Sequence, residues 1–308
     1  MSHGSVERDL DALVPSIAAA PSTMAVTGAM LRAVVVEPGL VDRITKEAVA
    51  AAVAYRNGCS SCEELHLTAL EALNRLRVDC ELSALADVRV RRVTEWARSP
   101  GLPRPFPDGH VPELVGTVVV SHYLNRLVLV LSDRTSGSLA SGTGVGWSPE
   151  GELPADLGWA RGRSSVARAF GRAAAVLGGG VPASVRTVVS GRVAEWRGEV
   201  PADDAWLGGA SSGLADGEVA VGRLALSAAF APGRVDPVLV DVVRERWGER
   251  VLVEVVAWAA FEAARRIGTL LAPDAGSSQE DEAKVIQFRR RNPSHRPLSA
   301  PTQRRAKL

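Results

Sequence analysis

Alanine, valine, leucine and arginine recur along most of this chain at spacings near the 3.6 residues of a helical turn, and no segment alternates with a period of two. Such a pattern buries one stripe of each segment against a neighbouring helix and cannot present the same residues as the face of a sheet, so the expected fold is all-α. Breakers divide the pattern into helices expected over 6–20, 22–35, 42–56, 59–76, 82–98 and 112–132, with the proline-rich stretch Pro100 to Pro107 interrupting before the last of these. Residues 133–163, rich in Gly, Ser and Pro, read as a connection. Helical spacing resumes over 164–177, 183–197, 218–230, 235–246 and 249–271, and Gly178-Gly-Gly180 ahead of Val181-Pro182 reads as a helix stop. From Asp274 to Leu308 there is little apolar content and many arginines, including Arg289-Arg-Arg291, which predicts a disordered basic tail.

At 308 residues the length suits about two domains. The 36 Lys and Arg nearly balance the 35 Asp and Glu, so bulk charge calls for neither a nucleic-acid nor a membrane partner. The segment beginning Met1-Ser-His has no apolar signal core, and no unbroken run of eighteen apolar residues follows, which makes the cytoplasm the expected compartment. There, thiol systems keep cysteines reduced and a disulfide forms only in passing.

Against that background the chemistry concentrates between Glu47 and His66, where two of the chain's three cysteines, Cys59 and Cys62, lie within eight residues of His66. Ile44, Ala48, Val49, Ala52 and Val53 recur at helical spacing and then meet Asn57-Gly58, a pair suited to ending a helix in the left-handed conformation. Cys59 would then open a second helix, whose unpaired N–H groups and dipole favour a thiolate. Cys62 and His66 lie one turn apart on it, within reach for proton transfer. Glu47, on the preceding helix, would polarise His66 if the two helices pack together. Two other readings stay open: a structural zinc site built from Cys59, Cys62, His66 and Cys80, and a helical scaffold that binds a partner while its thiols stay idle.

Glu47, eleven residues, Cys59-x-x-Cys62, three residues, His66 resembles the signature of the AhpD-like alkylhydroperoxidases of the carboxymuconolactone decarboxylase superfamily. The resemblance implies an all-α AhpD-like fold and a thiol peroxidase that needs no cofactor. Cys62 would attack a hydroperoxide and Cys59 would resolve the product as a disulfide, with Glu47 and His66 as proton relay. A lipoylated or thioredoxin-like dithiol protein would restore the thiols, and the protein would assemble as a homo-oligomer through the apolar faces of its closing helices. The family's peroxidases carry a second histidine just before the second cysteine, where this chain has Ser61.

The second half reads as a degenerate repeat. Glu113 to Arg126 and Glu254 to Arg265 each give an acid, an apolar stretch, an aromatic and an arginine, resembling the closing helix of an AhpD-like unit. The stretch from Arg223 that should match Glu47 to Cys59 has neither cysteine nor histidine. The expected organisation is therefore a unit over 1–135 with the thiols, a linker over 136–163, a second unit over 164–273 and the tail over 274–308. His122, Tyr123 and Arg126 on the 112–132 helix are candidate substrate contacts, with plain packing as the simpler reading. Gly209-x-Ser211-x-Gly213 lacks the buried strand a nucleophile elbow needs and reads as a flexible loop. Gly142 to Gly146 lacks the strand and helix of a phosphate cradle.

Overall fold

The computed structural model describes residues 17–75, 83–99, 102–132 and 151–272, and within these every regular element is helical. The first helix, α1 (Pro21–Leu31), continues into a wider turn over Arg32–Val36. Then come α2 (Arg43–Asn57), α3 (Ser60–Arg75), α4 (Ser83–Arg98) and α5 (Val111–Leu131). The second half holds α6 (Ser164–Val176), α7 (Ala183–Glu195), the short α8 (Trp206–Ala210), α9 (Val219–Phe230) and α10 (Pro237–Leu271). The all-α expectation is met. Most of the helix expected over 6–20, Cys80, His3, His295, the Gly142 to Gly146 stretch and the basic tail lie outside the described residues.

Helix α5 is the axis of the molecule. Mostly apolar and without a solvent-facing polar side, it is buried along its whole length except at Leu129, which is partly exposed. By length and composition it could cross a membrane, but its neighbours are protein: α2 on one side and α10 on the other. The close approach of α10 depends on Gly268, where a Cβ would stand 2.8 Å from Val119 and 3.0 Å from Trp159. Tyr123 and Phe170 both meet Phe261, and Trp159 meets Phe170 edge-on, so a single apolar core runs through both halves of the chain. Each such side chain contributes on the order of 1.5–3 kcal/mol by leaving water.

Three departures from the sequence reading have local causes. Residues 155–160 are not a passive connection: they form a helical turn that inserts Leu157 and Trp159 into the core, and Arg265 grips Asp156 with two hydrogen bonds of 2.9 and 2.7 Å. The expected flexible loop at Gly209 to Gly213 begins instead inside α8, and the buried Ser211 hydroxyl donates to the Leu207 carbonyl at 2.7 Å. The apolar faces of the closing helices, expected to join copies, pack on one another within the chain. By contrast, α10 changes direction at Gly248 (φ 84°, ψ 160°), at the gap expected between 246 and 249.

Candidate active site

Two helices and the turn between them build the thiol site. Asp42 caps α2 by accepting from the Thr45 N–H at 2.9 Å, which fixes where the helix starts and hence where Glu47 falls. At the far end Gly58 adopts the left-handed conformation (φ 67°), and the Cys59 N–H returns to the Ala54 carbonyl at 3.1 Å. The Cys59 carbonyl then accepts from Glu63 at 2.9 Å and starts α3. This reversal lays α3 along α2 and brings His66 back over Glu47, with Nδ1 2.7 Å from Oε2.

Glu47 is 2% exposed. Burial pushes its carboxyl up, but the His66 hydrogen bond and charge, together with Arg43, outweigh that and hold it below the usual carboxylate range. Arg43 Nε donates to Oε1 at 2.6 Å from one turn back on the same helix. An ionised Glu47 can only accept, so His66 carries its proton on Nδ1 and keeps Nε2 as the basic nitrogen.

Cys59 and Cys62 are joined as a disulfide, with Cα atoms 5.3 Å apart. Both are buried, in a small apolar cluster with Ala54 and Val128 against which Leu129 packs. Ser61 Oγ lies 3.8 Å from Cys59 Sγ, and with that sulfur in a disulfide the hydroxyl is the only donor of the two. The zinc reading needs Cys80, outside the described residues. The other thiols are bonded to each other, His66 Nδ1 is taken by Glu47, and no three metal-type ligands converge among the described residues.

A curated protein of Mycobacterium tuberculosis, alkyl hydroperoxide reductase Rv2159c, is 32% identical to this chain over 274 aligned positions, covering 77% of the chain and 79% of the relative. The chain belongs to the AhpD-like alkylhydroperoxidase family. No family model matches it, and no solved structure matches it. The structure places the motif's Cys59 and Cys62 at a helix N-terminus, with the carboxylate-oriented His66 one turn beyond Cys62.

Beside this AhpD-like motif the structure assembles groups that no motif announced. Lys46, 1% exposed, places Nζ 2.6 Å from Glu113 Oε2 and 3.2 Å from the Glu37 carbonyl. Glu113 also accepts from Arg163 at 2.6 Å and from the Leu40 and Val41 N–H groups at 2.8 and 3.3 Å. This network ties α2 and α5 to the loop between α1 and α2. His122 lies at the other end of α2, its Nδ1 3.0 Å from Asn57 Nδ2 and 3.2 Å from Arg126 Nη1. Tyr123 turns elsewhere: its hydroxyl shares a 2.7 Å hydrogen bond with Thr27 and its ring packs edge-on against Phe261, so the structure does not join it to His122 and Arg126. Of the added groups only Arg43 left a signal in the sequence, its four-residue spacing from Glu47. Lys46 and Asn57 find their partners across more than sixty residues.

Proposed function

We propose that the chain is a two-cysteine hydroperoxide reductase. What carries the reading is the Cys59–Cys62 pair at the start of α3, with His66 one turn beyond Cys62 and held on Glu47 at 2.7 Å. The relative's name, alkyl hydroperoxide reductase, supports it.

In the reduced protein His66 Nε2 takes the Cys62 proton, and the ionised Glu47 stabilises the imidazolium that forms. The Cys62 thiolate attacks the outer oxygen of a hydroperoxide, so an S–O bond forms as the O–O bond breaks. His66 returns the proton to the departing alkoxide, leaving an alcohol and a Cys62 sulfenic acid. Cys59 then attacks that sulfur: the S–S bond forms, the S–O bond breaks, and water leaves. A dithiol protein reduces the disulfide and is itself oxidised. The hydroxyl of Ser61 steadies charge on Cys59 Sγ where the family's peroxidases have a histidine.

The deciding experiment is intact mass after thiol alkylation of the reduced protein, before and after one equivalent of an organic hydroperoxide. Loss of two alkyl labels and two hydrogens at Cys59 and Cys62 supports the mechanism. With Cys62→Ser no oxidation is expected, and with Cys59→Ser the reaction should stop at one sulfenic acid. Thiols indifferent to peroxide would favour the non-catalytic scaffold, and equal turnover by both variants would refute the assignment of roles.

A further inference from the structure

Arg126 is 5% exposed, and among the described residues no carboxylate lies within ion-pair distance of it. Its Nε donates to the Ala229 carbonyl at 3.1 Å, Nη1 donates to the His122 carbonyl at 3.0 Å, and the guanidinium lies 5.7 Å over the Trp196 ring. These contacts hold the group in place without neutralising it. A buried cation with no acid is costly, and in folded proteins such a charge ordinarily has a partner.

Two more polar groups on the same helix are unsatisfied. His122 Nδ1 faces Nη1 of Arg126, which can only donate, so Nδ1 is an acceptor and the ring proton sits on Nε2. Burial, then Arg126 and Arg56, hold His122 well below the usual histidine range, so the ring stays neutral at neutral pH. The Nε2–H is buried and has no partner, and neither has the Nδ2 amide of Asn125, 1% exposed and one turn further along α5. Buried donors without acceptors are rare. Here a guanidinium, an imidazole N–H and an amide N–H stand on adjacent turns of one helix.

The same helix continues to the thiols. Leu129, two turns after His122 on its face of α5, packs on the Cys59 and Cys62 cluster, and Asn57, which fixes His122, is two residues from Cys59. Along the helix axis the three residues therefore lie roughly 3–10 Å from Val128 and Leu129, which pack with the sulfurs. We propose that Arg126, His122 and Asn125 form an anion subsite that binds the carboxylate of an organic hydroperoxide whose peroxide end meets Cys62. One buried guanidinium without an acid calls for a monoanion, Arg56 being exposed to water, and two neutral N–H donors suit the remaining lone pairs of a carboxylate. The substrate class rests on the peroxidase reading given above, whereas the carboxylate site itself does not.

Two measurements on the full chain separate the two. Binding is read first, by quenching of tryptophan fluorescence with octanoate and with methyl octanoate, since Trp196 lies under Arg126. Octanoate is expected to bind at least about tenfold more tightly than the ester, and Arg126→Met to remove the difference. Equal affinity for acid and ester, or a preference surviving in Arg126→Met, overturns the site. Oxidation is read second, as the rate of Cys59–Cys62 formation in the reduced wild-type protein with a fatty-acid hydroperoxide, its methyl ester and cumene hydroperoxide. A rate on the order of tenfold faster for the acid supports the substrate class, and equal rates for acid and ester overturn it. Carboxylate binding with no oxidation by any of the three sinks the peroxidase reading and upholds the anion site. The acid-to-ester ratio in the wild type needs no variant, so a failure of Arg126→Met to fold leaves both tests standing.

Discussion

Replacing Glu113 by Gln and Lys46 by Met should have very different costs, although each breaks the same 2.6 Å contact. Glu113→Gln keeps the shape but removes the negative charge facing Lys46 Nζ, whose other partner is the neutral Glu37 carbonyl, in a side chain 1% exposed. Stranding a buried charge in this way costs about 3–5 kcal/mol, a large share of the roughly 5–15 kcal/mol that stabilises a typical fold. Lys46→Met leaves Glu113 with Arg163 and two backbone N–H groups. Moreover, burial holds Lys46 below the usual lysine range even with Glu113 beside it, so desolvation of the ammonium outweighs what the pair returns. The expected cost of Lys46→Met is therefore within about 1 kcal/mol of zero, and stabilisation would not be a surprise. Urea unfolding followed by helical circular dichroism at pH 7.5 gives both values from the midpoints, provided the slopes agree. A pH series adds an internal control. Burial pushes Glu113 up, but Lys46, the Leu40 N–H and Arg163 hold it below the usual carboxylate range. Its ionised form thus stabilises the protein above the ordinary carboxylate value of 4.5, and that contribution is lost as pH falls through the lower folded value. The gap between wild type and Glu113→Gln should close in strong acid. Equal losses from the two substitutions, or a loss below about 1 kcal/mol for Glu113→Gln, would refute the reasoning.

Four other substitutions probe the site more directly. Gly58→Ala meets no atom within 4 Å, so its cost should be that of a left-handed alanine alone, about 1–2 kcal/mol by thermal or urea unfolding, accompanied by slower Cys59–Cys62 closure. His66→Ala should move the half-maximal pH of thiol alkylation in the reduced protein upward, with Glu47→Gln moving it the same way; an unchanged profile in both would remove the pair from the chemistry. His122 has a folded value well below its ordinary 6.5, so the unfolded chain binds the extra proton and wild-type stability falls as pH drops below about 6.5. His122→Leu should flatten the urea midpoint between pH 7 and 5, removing up to about 1.4 kcal/mol per pH unit; identical slopes would show that His122 does not titrate as the structure requires.

What could be read from the sequence follows how locally each feature is encoded. Gly58 and Gly248 sit at backbone positions of positive φ, which few other residues tolerate, and each falls where the helical spacing of the sequence breaks. Spacing alone carried α2, α3, α5 and α10, because their apolar residues share one core. Trp159 was hidden because the apolar run around it, Leu157 to Ala160, is interrupted by Gly158 and bounded by Asp156 and Arg161, too few residues to make a period. The thiol motif was legible for the same reason as the helix ends: Glu47, Cys59, Cys62 and His66 all fall in one helix-turn-helix, and the reversal at Gly58 is written between them. The Lys46 to Glu113 and Asn57 to His122 contacts join residues 67 and 65 positions apart, for which a single sequence gives no rule.

That contrast bears on what the second half of the chain is for. It offers no described thiol, yet it supplies the Ala229 carbonyl that accepts from Arg126 and the Trp196 ring beneath the guanidinium. Without those two contacts a long buried side chain would lose the single geometry that aims it, since an arginine forfeits on the order of 1.5–2 kcal/mol of rotamer freedom when fixed. The reacting groups can lie close together in sequence because proton transfer and disulfide closure demand only short-range order. Holding a charged group at a set distance from them demands a rigid frame on its far side, and here α7's C-terminal edge and α9 are that frame. The second half of the chain, which has no cysteine, thus fixes the geometry of a buried side chain of the first.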